Sequence, residues 1–308
     1  MLRYYVRRSF AEELQVVPTP PLEHAWIHGT SVTTPEFLQI IEAYGLDSNI
    51  VRDVRDKHEL PRVEYSNGAL YIFARALHQT HHGSVNSTPF LTILKGSLLI
   101  TLSVGQYFTP EDVFGESKLT MRSSRHVLTQ LIARLIYQYE EYINKTGTFI
   151  HHTGQRLQAK EVGNDDFIKF VTVEADLNIY HTNLTAIKTM LERLGENRHK
   201  LFVDHDCELI EDTVLHVQQL LVSVASHTQA INSIRNAYTT ISNNTLNQRM
   251  KALTLLTVLI TLPNVFYGMF GMNVALPFSD QPWAYGAITI FTLFVVLSVY
   301  GIMRRLRF

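Results

Sequence analysis

Eight residues near the end of the chain fall into step: Asn247, Met250, Thr254, Thr257, Thr261, Asn264, Gly268 and Gly271, always three or four positions apart. On an α-helix this rhythm draws them into one stripe with a period near 3.5 residues. Amides, hydroxyls and missing side chains in such a stripe suit two kinds of chemistry. They let helices approach closely in lipid, or they line water on an otherwise apolar helix. Spacing alone favours helix packing and leaves the wet face open.

Other chemistry is harder to find. Fourteen histidines include the pairs His81-His82 and His151-His152, but neighbours on a helix do not face one site, so surface positions are expected. There is no zinc-type Cys/His spacing, no GxxxxGK[ST] loop and no GxSxG elbow. Neither an ATPase nor a hydrolase is expected, so the chain reads as no enzyme and needs no organic cofactor. With 27 basic and 28 acidic side chains, nothing points to nucleic acid. The lone Cys207 forms no intrachain disulfide, which suits a reducing compartment.

The stripe must be carried by a membrane helix. From Ala252 to Met303 the only ionisable carboxylate is Asp280, and two apolar runs lie there, Ala252 to Phe270 and Ala284 to Met303. Each has about the 20 residues that cross ~30 Å of hydrocarbon. The loop between them, with Pro277 and Pro282, is short and free of cations. Arg249 and Lys251 precede the first run and Arg304, Arg305 and Arg307 follow the second, so the positive-inside rule puts both termini in the cytoplasm. The basic start, Arg3, Arg7 and Arg8, leads into Ala11, Glu12 and Glu13; no secretory signal is expected.

Upstream, no proline occurs between Pro110 and Pro263, and neither glycine nor proline between Gly195 and Pro263, which predicts long helices. Two are expected between Ser123 and Gly195, broken near Gly163 and packed as an antiparallel pair, followed by a helix of roughly seventy residues running into the first span. The first part mixes short elements. Arg62 to Tyr65 and Ala69 to Leu77 flank Ser66, Asn67 and Gly68 as hairpin arms, and Phe90 to Leu94 and Leu98 to Ser103 flank Lys95 and Gly96. A further strand is expected around Trp26 and Ile27, with antiparallel pairing. A helix capped by Thr34 and stopped by Gly45, and another from Ser48, would cover one face of the sheet.

At the end of the first span the chain reads Tyr267-Gly268-Met269-Phe270-Gly271-Met272-Asn273. This resembles the CorA family of magnesium channels, whose signature Gly-Met-Asn stands here as Gly271, Met272 and Asn273. The resemblance covers essentially the whole chain, including Leu60-Pro61-Arg62-Val63-Glu64-Tyr65, whose family equivalents run into a strand. The expected fold is an α+β cytoplasmic domain (1–115), a helical hairpin and stalk (116–246) and a transmembrane pore domain (247–308, spans about 252–271 and 284–303).

The resemblance implies a homopentameric funnel in a cytoplasmic membrane, with the lipid bilayer and divalent metal ions as its other partners. Five first spans would surround the pore. The pore-facing positions it implies are Gly268, Asn264, Thr261, Thr257, Thr254, Met250 and Asn247, the stripe that spacing picks out. Met250 and Leu253 would form a hydrophobic gate that closes by dewetting. Five Asn273 amides suit Mg²⁺, which sheds water reluctantly, because their carbonyls accept hydrogen bonds from its hydration shell. Where the family often has a loop glutamate, Leu276-Pro277 is followed by Phe278. Asp280 is the substitute available to draw cations to the entrance. Gating by internal Mg²⁺ is implied for carboxylates between neighbouring subunits, here Asp53 and Asp212.

Two rival readings stand beside this one. A ZntB-like Zn²⁺ transporter keeps the fold and changes the ion, but such proteins usually carry another residue in place of Met272. A membrane-anchored helical scaffold would use the spans as a tether only.

Overall fold

The computed structural model describes residues 2–6, 15–21, 23–80, 83–105, 123–158, 164–272 and 281–305. Contacts divide the chain into two compact units, residues 1–235 and 236–308.

In the first unit, β1 (Leu2–Val6), β2 (Gln15–Val17) and β3 (Ala25–Gly29) precede the helices α1 (Thr34–Tyr44) and α2 (Ser48–Asp53). Then come β4 (Arg62–Ser66), β5 (Ala69–Gln79), β6 (Val85–Lys95) and β7 (Leu98–Ser103). The seven strands form one sheet in the order β2-β1-β3-β7-β6-β5-β4. Both expected hairpins are present. Ser66 pairs with Ala69 across Asn67 and Gly68, at φ 52° and 72°, the left-handed pair a two-residue hairpin turn requires. Lys95 pairs with Leu98 around Gly96, φ 58°.

Three expectations change. The strands β1 and β2 were not foreseen, because a short edge pair with arginine and tyrosines carries little alternation. All pairings are antiparallel except one: β3 runs parallel to β7, with Ile27 opposite Ile100. This works because the chain reaches β7 only after the two helices and the β4–β6 meander. The cap of α1 is Thr33 and not Thr34. The Glu36 carboxylate accepts from the Thr33 N–H (2.8 Å) and hydroxyl (2.9 Å), and Pro35 fits the first turn, where its missing N–H costs nothing. Gly45 ends the helix as expected, at φ 56°.

The sheet is covered on both faces. Ile27, Tyr71, Phe73, Leu91 and Ile100 pack with Phe37, Ile40 and Val51 of α1 and α2. The opposite face, with Trp26, Leu70, Ile72 and Leu99, packs against three further helices: α3 (Ser124–Gln158), α4 (Asn164–Gly195) and the start of α5 (Asp204–Phe270). Burial on two sides explains why β5 reads as an apolar run from Ala69 to Ala74. The helices α3 and α4 are antiparallel, with Arg156 bonded to Asp166 at 2.9 and 3.0 Å and Thr146 to Tyr180 at 3.4 Å. Past the end of β4, the bare edge of β5 is sealed by α3. Gln138 bonds the N–H (3.3 Å) and carbonyl (3.0 Å) of Leu77, and the Tyr139 hydroxyl donates to the Arg75 carbonyl at 2.8 Å.

The second unit holds the remainder of α5 and α6 (Ala284–Arg305). Helix α5 is 67 residues long and passes through Pro263 without ending. In the most apolar stretch of α5 none of the residues is buried, and in that of α6 only 6% are. A core helix of a soluble protein would be covered; these two are long and apolar enough to cross a membrane, and their most apolar stretches are almost unburied in the single chain.

Candidate functional site

All eight residues of the stripe lie on the outer part of α5 or at its last turn, and all are exposed in the single chain. The half-buried positions of the same stretch are Leu255, Val258, Leu259, Leu262, Pro263 and Phe266. At 100° per residue the centres of the two sets lie roughly 150° apart around the helix. The second set faces α6: the rings of Phe266 and Phe291 meet edge-on at 5.4 Å, and the Tyr267 hydroxyl donates to Thr289 Oγ1 at 3.4 Å. The polar stripe therefore points away from the only other helix of its unit among the described residues.

The three threonines of the stripe share one arrangement. Thr254, Thr257 and Thr261 donate their hydroxyl protons to the carbonyls of Met250 (2.9 Å), Leu253 (2.9 Å) and Thr257 (2.6 Å). With the proton turned into the helix, each oxygen offers lone pairs outward, the polarity that suits the hydrogens of water around a cation. No residue of the stripe titrates.

The glycines are not explained by their own chain. A Cβ on Gly268 would meet nothing within 4 Å, and one on Gly271 only ordinary contacts at 3.5 Å. A glycine inside a helix costs about 1 kcal/mol relative to alanine, so Gly268 weakens α5 without a packing return inside the chain. The helix closes with short-range bonds, Gly271 N–H to the Tyr267 (3.1 Å) and Gly268 (3.2 Å) carbonyls and Met272 N–H to Met269 (3.3 Å). Met272 is exposed beyond it. Asn273 and Asp280 lie outside the described residues. Met250 and Leu253, expected as a gate, are 54% and 57% exposed, with no partner inside the chain that would make them ordinary core.

The carboxylates expected to regulate lie in the first unit. Asp53 ends α2 and accepts from Arg62 Nη2 at 2.7 Å. Arg62 also pairs with Glu59 and, at 2.5 Å, with Glu64, and its guanidinium lies 4.5 Å over the Phe73 ring. Sequence reasoning missed this partner, although Arg62 stands in the stretch quoted for the family. Asp212 is exposed on α5. Among the described residues no group of three or more His, Cys, Asp or Glu is placed to hold a metal ion. Among the described residues, neither Asp53 nor Asp212 belongs to such a group.

A three-layered α+β unit, a very long helix whose far end is apolar and a second apolar helix after it define a class: the membrane transporters of divalent cations that carry two C-terminal spans. A family model confirms this assignment over most of the chain. The chain belongs to the family of CorA-like Mg²⁺ transporter proteins, whose model matches residues 22–305. It is 21% identical over 288 residues to the cobalt/magnesium transport protein CorA of Methanocaldococcus jannaschii, covering 91% of this chain and 90% of that one. It is 21% identical over 294 residues to the protein of the same name from Thermotoga maritima, covering 90% and 79%. The complete structure of the CorA magnesium transporter from Methanocaldococcus jannaschii superposes with a TM-score of 0.84 at 18% identity, covering 99% of this chain and 98% of that one.

Proposed function

We propose that the protein is a homopentameric channel that admits Mg²⁺ across the cytoplasmic membrane. The observation that carries this reading is the polar, glycine-bearing stripe on the face of α5 turned away from α6. Five copies of α5 packed around an axis would bring Asn247, Met250, Thr254, Thr257, Thr261, Asn264 and Gly268 to the lumen. Outward lone pairs on the threonines would carry a hydrated cation without stripping it, and the missing side chain at Gly268 would leave it room. Gly271, Met272 and Asn273 form the outer filter, Asp280 attracts cations at the entrance, and Met250 with Leu253 closes the inner end. Both termini lie in the cytoplasm. A potential of ~100 mV contributes about 4.6 kcal/mol to inward movement of a divalent ion, so no covalent chemistry is required.

Feedback would come from internal Mg²⁺ held between subunits with Asp53 and Asp212 among its ligands. Because the described residues of one chain gather no such cluster, the remaining ligands would come from a neighbouring copy.

The test is Mg²⁺ uptake into proteoliposomes under an inside-negative potential, wild type against Asn273→Ala. Flux in the wild type and its loss in an intact mutant assembly support the channel. Zn²⁺ flux without Mg²⁺ flux would replace the ion, and silence in every ion assay would leave a membrane-anchored scaffold.

A further inference from the structure

In the first unit, a cavity of about 450 Å³ lies between β4, the last strand in the sheet order, and the connection from α4 to α5. Its floor is apolar. Leu70, Leu194 and Phe202 are buried there, with Val63 and Leu201 half-buried beside them. Apolar surface sunk below a polar rim is the usual make-up of a small-molecule site, and the volume falls in the range of such sites.

The wall over this floor is fixed in advance. Asn197 donates from Nδ2 to the Phe202 carbonyl (2.8 Å) and accepts from the Phe202 N–H (3.1 Å), and the Lys200 N–H donates to the Asn197 carbonyl (2.8 Å). Asn197 and Lys200 stand at φ 45° and 51°, left-handed backbone that a non-glycine residue holds only where its surroundings enforce it. This turn brings Arg198 and His199 to the mouth. The His199 ring stacks on Tyr65 of β4, centroids 3.9 Å apart and planes 14° apart, and both residues are exposed. They make a flat aromatic wall from strand to connection. Charge at the mouth is sorted as well. Of the lining carboxylates, Glu196 accepts from Arg198 Nε at 2.6 Å and Glu64 pairs with Arg62. Arg193, in the last turn of α4, forms no hydrogen bond or ion pair among the described residues and lines the same mouth.

We propose that this cavity binds a small planar aromatic compound carrying an anionic group. The apolar floor takes the body of the ligand out of water, and the Tyr65–His199 wall offers a flat face on which a ring lies in offset stacking. Arg193 then meets the anionic group at the mouth, because guanidinium bonds to carboxylate or phosphate oxygens are the strong, charge-assisted kind. Nucleoside monophosphates and aromatic carboxylic acids share this chemistry. Flat shape and one terminal charge define the ligand.

The test is calorimetric titration of the full chain in detergent, in Mg²⁺-free buffer, with adenosine monophosphate, with indole-3-acetate and with neutral adenosine. Saturable binding of at least one charged probe is expected; tighter binding of the first marks a nucleotide site, and of the second an aromatic-acid site. Arg193→Gln should weaken the charged probe roughly tenfold and leave adenosine unchanged, a split that mere damage to the fold would not produce. His199→Ala should weaken charged and neutral probes alike by removing part of the wall. Both replaced side chains are exposed, so the fold should survive. Lys188→Ala, paired with Glu192 on α4 and outside the lining, should change nothing. Absence of saturable binding of both charged probes at millimolar concentration, or charged binding that is unmoved by Arg193→Gln, overturns the proposal.

Discussion

Phe266 of α5 and Phe291 of α6 meet edge to face, their ring planes 85° apart. Edge-on aromatic pairs contribute about 0.5–1.5 kcal/mol beyond their buried area. The consequence is directional: with Phe266 turned to α6, every residue of the polar stripe is turned away from it.

The first prediction concerns the threonines on that free face. Thr257→Val keeps the shape and removes the outward oxygen, so Mg²⁺ uptake in proteoliposomes should fall roughly tenfold, the equivalent of about one hydrogen bond. Thr257→Ser, which retains the hydroxyl, should stay close to wild type. Equal uptake by the valine variant would mean that the stripe is packing and not lining.

Asp53 and Asp212 are tested together. Under the regulatory reading, the double Ala variant should keep taking up Mg²⁺ at internal concentrations that silence the wild type. Stability should change little, since Arg62 retains Glu59 and Glu64 and a part-exposed ion pair contributes about 0–1 kcal/mol. Unchanged inhibition sinks the assignment.

The ring of His227 on α5 lies against the backbone of α3 at Gly147. A Cβ there would come within 2.6 Å of His227 Nε2. Gly147→Ala should cost about 1–3 kcal/mol through overpacking, read as a lowered thermal midpoint in detergent. Adding His227→Ala should return most of the loss; a simple sum of two losses would show that the clash is not the cause.

Asp176 of α4 is buried, and burial raises its carboxyl above the ordinary value, although the Val85 N–H bonds Oδ1 at 3.0 Å and opposes the shift. A raised folded-state value means that the native protein holds the proton more tightly than the unfolded chain. The contribution of this group is thus most favourable at low pH and is lost as pH rises through the raised value. Asp176→Asn keeps the acceptor without the charge, so it should raise the thermal midpoint at pH 7 and lose that advantage as pH falls from the raised value towards the ordinary aspartate range. A gain of the same size at every pH contradicts the burial cost.

Much of this molecule is written locally. Asn67-Gly68 and Gly96 mark the hairpins because only left-handed backbone closes such turns, and the absence of Gly and Pro from residue 196 to 262 already requires long helix. The apolar runs at 252–270 and 284–303 are each long enough to cross a membrane, and the stripe is a matter of counting. The β1–β2 pair, the parallel β3–β7 contact and the helices over the second face were not legible, because they depend on partners far along the chain. Asp53 looked like a carboxylate open to a metal until the fold brought Arg62 to it.

Sequence by itself determined the two tight hairpins, the long helices, the two spans and the periodicity of the chemical groups on α5, since these follow from backbone sterics, hydrophobic transfer and helical pitch. Only the tertiary structure decided which face of α5 meets α6 and that Arg62 holds Asp53. These depend on which residues distant in the chain share space, and packing settles that for the whole unit at once and not residue by residue.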